Sequence, residues 1–152
     1  MNPAPKNAGQ GGRVQITIFT IEEANQAAAE IRPELEEMVH VKRELDLVQT
    51  RIDVLDLAVS GASAVNPDAR ELRSLMTRRT VLSARVRRGV QHIHRRGAVV
   101  KDLEKGLVDF YALSGDRLIF LCWRLDETEV SHWHPLEGGF GDRQRVQRRE
   151  ND

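Results

Sequence analysis

Residues 107–125 read LVDFYALSGDRLIFLCWRL. Two runs rich in β-formers flank Ser114-Gly115-Asp116-Arg117, and Gly115-Asp116 has the composition of a two-residue hairpin loop. With that loop, Asp109 lies opposite Cys122 and Val108 opposite Trp123. Alternation then puts Val108, Phe110, Ile119, Leu121 and Trp123 on one apolar face, with Asp109, Cys122 and Arg124 on the other. The stretch predicts an antiparallel hairpin with one face turned to a core.

Working outward, Ala98 to Leu103 and Val130 to His134 are short, rich in β-formers and bounded by turn residues. They extend the hairpin into a small antiparallel meander over about 98–140, and Val14 to Phe19 reads as a further strand completing it. The chain beyond Arg143 is charged and reads as a frayed tail.

Upstream, the period changes from two to between three and four. Thr20 and Glu23 have capping-box spacing. Ala24, Ala28, Ile31, Leu35, Met38, Leu45, Val48, Ile52 and Leu55 follow in steps of three, four and seven, describing a long helix with a near-heptad seam. Pro33 should kink it, or divide it into a short helix and a longer one. Gly61 to Pro67 reads as a turn, with Asn66 as N-cap and Pro67 at the first helical position. A second helix then buries Leu72, Leu75, Leu82, Val86, Val90 and Ile93 and stops at Gly97. The fold class is therefore α+β: a long, coiled-coil-like antiparallel helical hairpin over about 21–96, followed by the meander. One domain over 14–142 lies between a disordered tail at 1–13 and the charged tail at 143–152.

At 152 residues the chain suits a single domain. Lys+Arg and Asp+Glu balance at 23 each, so no overall field recruits nucleic acid or an anionic membrane. The second helix is arginine-rich, but the first is about as acidic, and pairing the two neutralises both. No apolar run approaches the roughly 18–20 residues that span a bilayer. The single cysteine, Cys122, rules out an internal disulfide and fits a reducing cytoplasm. Mid-strand between Leu121 and Trp123, it reads as a buried small side chain rather than a nucleophile.

Two His-x-His pairs stand out. His92 and His94 sit two apart on a helix, where they do not share a face, and the helix dipole accounts for His94. His132 and His134, in EVSHWHPLEGGFGDRQ (residues 129–144), sit two apart on a strand and do share a face. A third metal ligand would come from Asp102, Asp109, Glu127 or Glu137. A turn of two or four residues at Asp126 to Glu129 places His134 on the apolar face with Leu121 and Trp123. A three-residue turn or a bulge reverses that and lets Asp109 meet His134.

The runs FTIEEAN (19–25), VKDLEKGLVDF (100–110), LCWRLDETEV (121–130) and WHPLEGGFGDRQ (133–144) together resemble a bacterial family called domain of unknown function 2203. The resemblance covers nearly the whole chain except its tails. The family pattern falls on Asp102, Gly106, Asp109, Phe110, Cys122, Trp123, Glu127, Trp133, His134, Gly139, Phe140 and Arg143. The chain departs from it at Tyr111, Asp126 and Pro135, where proline, glycine and an acid are usual. His132 stands where tyrosine is usual, so only His134 of that pair belongs to the pattern. The family has no established activity.

The expected function is a non-enzymatic small-molecule-binding or oligomeric scaffold protein with a polar site on the meander; whether it catalyses anything is left open. Asp102, Asp109, Trp123, Glu127, Trp133, His134, Phe140 and Arg143 are the candidate ligand-binding residues. The three aromatic residues form walls, and Arg143 meets an anion. The same polar residues read equally as a structural ion-pair network. The alternative is a metal-dependent hydrolase, with His134, Asp109 and Glu127 around a divalent ion. Val41, Leu47, Val54, Leu57, Met76 and Val81 lie off the helical seam, which predicts a homo-oligomer, a dimer packed as a four-helix arrangement.

Overall fold

The computed structural model describes residues 15–61 and 65–147. The expected disordered stretch 1–13, Val14, and the end of the charged tail lie outside them. Helix α1 spans Ile21–Ala58 and α2 spans Pro67–Arg95. Five strands follow: β1 Ala98–Asp102, β2 Leu107–Ser114, β3 Arg117–Arg124, β4 His132–Pro135 and β5 Gln144–Arg145. They form one antiparallel sheet in the order β1-β2-β3-β4-β5.

Local chemistry starts and stops the helices. Glu23 N–H donates to Thr20 Oγ1 at 3.1 Å and Thr20 N–H donates back to Glu23 Oε1 at 3.0 Å, a complete capping box. Asp68 N–H donates to Asn66 Oδ1 at 2.8 Å, with Pro67 at the first helical position. Gly97, at φ +91°, turns the chain out of α2; a Cβ there would lie 2.8 Å from Thr17 Cβ. Pro33 does not divide α1, which runs unbroken through it. An interior proline costs about 3 kcal/mol, and burial of Ile31 and Leu35 on either side offsets that loss.

The hairpin is zipped by opposite charges. Glu30 pairs with Arg96 at 2.7 Å, Glu37 with Arg85 at 2.7 Å, Glu44 with Arg78, and Arg51 with Glu71 at 3.2 Å. These partners are exposed or half-exposed, so each is worth at most about 1 kcal/mol; their joint effect is to fix the antiparallel register. Along the seam, Gly89 lets the helices close: a Cβ there would fall 2.0 Å from Met38 Sδ.

One face of the sheet meets the hairpin. Val108, Phe110, Ile119, Leu121 and Trp123 pack with Ala24, Ala28, Ile31, Leu35, Ile93 and Phe19 in one cluster. The β2–β3 register is the one the sequence predicts, with Asp109 opposite Cys122 and Val108 opposite Trp123.

Three expectations need correction. Residues 15–20 form no strand; Phe19 ties them to the sheet, through its N–H to the Tyr111 carbonyl at 2.8 Å and its ring against Phe110. Conversely, the chain after Arg143 is not simply a frayed tail: β5 pairs with β4, and Val146 N–H reaches the Ser131 carbonyl at 2.8 Å. The third concerns β4. Phe120 pairs with His134, Leu121 with Trp133 and Cys122 with His132. An odd number of residues therefore separates paired positions across the β3–β4 connection. His134 leaves the face of Leu121 and Trp123 and joins that of Asp109 and Cys122, while Trp133 packs against the core.

Candidate functional site

The β3–β4 connection decides which side chains of β4 reach the polar face, and α1 holds its shape. Arg32 donates to the Leu125 carbonyl at 2.8 Å and to the Glu127 carbonyl at 3.0 Å, and its guanidinium lies 5.0 Å from the Trp123 ring centre. Trp123 Nε1–H also donates to the Glu127 carbonyl, at 3.1 Å. Asn25 brackets Val130, accepting from its N–H at 2.7 Å and donating to its carbonyl at 3.3 Å. Asn25 and Arg32 were not singled out from the sequence, although an asparagine inside a helix, where it is a poor former, is a signal that it serves another purpose.

On the polar face, Asp109 of β2 and His134 of β4 meet across β3. His134 Nε2 lies 2.9 Å from Asp109 Oδ2, and His134 Nδ1 lies 2.8 Å from the Pro135 carbonyl oxygen. A carbonyl only accepts, so Nδ1 carries a proton, and in the neutral ring Nε2 is then the lone-pair nitrogen. A proton must lie between Nε2 and Oδ2 for that contact to attract.

Cys122 of β3 points into the same space. One ligand atom each from Asp109, Cys122 and His134 lies within 4.8 Å of the other two. Their exposures are 1%, 0% and 2%. Asp109 Oδ1 has no hydrogen-bond partner. Burial pushes the Asp109 carboxyl above its ordinary range, with the His134 charge and the Cys122 thiol acting against it. Burial, helped by the Asp109 charge, pushes the Cys122 thiol up to about 12. The thiol is inert as a nucleophile in this state, in agreement with its reading as a buried small side chain.

A second cluster adjoins the first. Arg143 donates to both oxygens of Glu127, at 2.7 and 2.8 Å, and more weakly to the Cys122 carbonyl at 3.4 Å. Arg124 N–H donates to Glu127 Oε1 at 2.8 Å. The Phe140 ring centre is 4.6 Å from the Arg143 guanidinium and 5.1 Å from that of Arg124. His132 Nδ1 is 3.6 Å from Glu127 Oε2; burial first, then the Arg143 charge, lowers its proton affinity.

The sequence-nominated residues thus fall into four groups. Asp109 and His134 come together with Cys122. Glu127, Arg143 and Phe140 form the adjoining cluster. Trp123 and Trp133 pack on the opposite, apolar face and wall no site on this one. Asp102 closes the β1–β2 turn, its Oδ1 accepting from Glu104 and Lys105 N–H at 2.9 and 3.3 Å. In the other His-x-His pair, His94 is no charged cap for the helix dipole: its Nε2 accepts from Val100 N–H at 3.2 Å, and burial lowers its proton affinity.

The family described as Uncharacterized conserved protein (DUF2203) matches residues 17–146, and the chain belongs to that family. No curated protein and no solved structure matches it. Among the described residues, no helix is long and apolar enough to cross a membrane.

Proposed function

We propose that this member of an uncharacterised family is a non-enzymatic binding protein. Its ligand is a small cation, held by Asp109, Cys122 and His134 on the polar face of the sheet. The observation that carries the reading is Asp109 Oδ1, a buried carboxylate oxygen with no donor. Left without a partner, a buried carboxyl oxygen costs about 1–3 kcal/mol, and a cation at that point would offset the loss. Two further donor atoms of metal-binding type converge on it. The test is elemental analysis of protein purified without chelator, alongside an Asp109→Ala variant. A stoichiometric divalent metal in the native protein, lost from the variant, is the expected outcome. Native protein that contains no metal and acquires none on dialysis against zinc, cobalt or manganese sinks the reading.

The metal-dependent hydrolase finds less support. Its ligand set of His134, Asp109 and Glu127 would need a free Glu127 carboxylate, whereas both Glu127 oxygens accept from Arg143. A hydrolase must also admit a substrate to the metal, and Asp109, Cys122 and His134 are almost wholly buried.

The scaffold component is homodimerisation through the hairpin. Leu57 and Leu47 are 83% and 73% exposed, and Val54, Val81 and Met76 are exposed on the same two helices. Val41, by contrast, is already buried. A second hairpin covering these side chains makes a four-helix arrangement. Light scattering well above micromolar concentration should give twice the chain mass; a monomer there refutes it. A reducing cytoplasm is the compartment that keeps Cys122 a thiol.

A further inference from the structure

The identity of the cation follows from its donors. Resting on the cation-binding reading above, we infer that the site takes a thiophilic divalent metal of the zinc class, with Cys122 as a thiolate ligand, His134 ligating through Nε2 and Asp109 through one carboxylate oxygen.

Three observations support this. The Pro135 carbonyl occupies His134 Nδ1 at 2.8 Å, so in the neutral ring the lone pair is on Nε2, aimed at the Asp109 carboxyl group. Metal-ligating histidines are commonly oriented in this way, by a second-shell acceptor on the other nitrogen. Next, the donors sit on three adjacent strands. Asp109 and Cys122 are direct partners across β2 and β3, and His134 lies diagonally from Cys122 across β3 and β4. Strands hold such positions more firmly than loops. Last, the set is one sulfur, one imidazole nitrogen and one carboxylate. Magnesium and calcium take six to eight oxygens as a rule, and two of these three donors are not oxygen. Sulfur with imidazole selects zinc and its close analogues.

The dimensions are compatible with a tetrahedral ion. Bonds of about 2.0–2.3 Å put ligand atoms roughly 3.4–3.6 Å apart. The donor atoms here lie within 4.8 Å of one another, with the Nε2–Oδ2 pair closed to 2.9 Å. Opening that pair by about half an ångström, a small side-chain torsion, makes room. As the metal enters, the thiol proton and the proton held between Nε2 and Oδ2 both leave to solvent, and no group changes oxidation state. Three protein donors leave the fourth tetrahedral position to water.

Cobalt(II) is the probe, because its thiolate complexes absorb in the near ultraviolet by charge transfer. The full chain, stripped with chelator and kept reduced, should bind one cobalt with that band, and zinc should abolish it while millimolar magnesium does not. Cys122→Ser should remove the band, and His134→Gln should weaken binding by more than the roughly 10–100-fold that loss of an outer-shell partner costs. Circular dichroism establishes that each variant is folded, and Asp109→Asn stands in for any that is not. Stoichiometric cobalt binding without a thiolate band, unchanged by Cys122→Ser, overturns the thiolate assignment and leaves the cation reading standing. No binding of cobalt or zinc by folded native protein overturns both.

Discussion

Asp109 and His134 come from strands that do not pair with each other. β3 runs between β2 and β4, and the two side chains close over it, with His134 Nε2 2.9 Å from Asp109 Oδ2. Two strand spacings, roughly 9–10 Å, separate their backbones, so both side chains must lean inward over Cys122 and Phe120. The His134 ring accordingly lies 5.4 Å from that of Phe120. Asp109→Asn keeps a donor for Nε2 and should shift stability by no more than about 1 kcal/mol. Asp109→Ala leaves Nε2 buried and unpaired beside a void, and should cost about 2–4 kcal/mol. Urea denaturation of the metal-free proteins compares the two; equal losses contradict the hydrogen-bond account.

The Glu127–Arg143 pair is mostly buried, with side chains 19% and 10% exposed. Arg143→Met keeps the stem but removes the guanidinium, leaving a carboxylate with backbone help from Arg124 alone. It should cost about 2–4 kcal/mol. The double variant with Glu127→Gln should lose less than the sum of the single losses, because the partners belong to one network. Additive losses in a double-mutant cycle would show that the pair does not act as a unit.

In the metal-free protein, Cys122 should resist alkylation. Its thiol is buried and pushed up to about 12, so almost none is thiolate at pH 8. Iodoacetamide labelling, followed by mass spectrometry, should proceed only as fast as the protein opens and should become complete in urea. Rapid stoichiometric labelling of native protein contradicts the buried placement.

His94 sets a pH dependence of its own. Its folded-state proton affinity is lowered, so the unfolded chain takes up its proton first as pH falls. The stability it contributes is complete above the unfolded value of about 6.5 and is lost as pH falls through the folded value. Denaturation midpoints measured from pH 7.5 to 5 should therefore fall more steeply for the native protein than for His94→Gln, whose amide oxygen still accepts from Val100. Parallel slopes exclude this role.

Gly89→Ala should destabilise the hairpin even though alanine is the better helix former by about 1 kcal/mol. The new methyl would overlap the buried Met38 side chain, and overpacking costs about 1–3 kcal/mol. The penalty should vanish in a Met38→Ala background, as thermal denaturation of the four proteins can show.

The features that local chemistry writes were legible in the sequence. Thr20 and Glu23, Asn66 and Pro67, and Gly97 mark helix ends through contacts within a few residues. The 107–125 hairpin follows from its own loop, which fixes Asp109 opposite Cys122. The face of β4 was not legible, because it depends on a connection shaped by Asn25 and Arg32, which lie 93 to 105 positions from the groups they hold. For the same reason the sequence shows Cys122 only as a small buried side chain; its companionship with His134 exists only in the observed register. β5, two residues long and polar, carries no periodic signal at all.

The β3–β4 connection acts as a parity device. Adding or deleting one residue there, with β3 unchanged, would turn Trp133 toward Asp109 and Cys122 and drive His134 into the core, whereas two residues could enter or leave without changing sides. Length variants of this loop should therefore be tolerated in even steps alone. That rule can be read from aligned lengths without knowing any ligand.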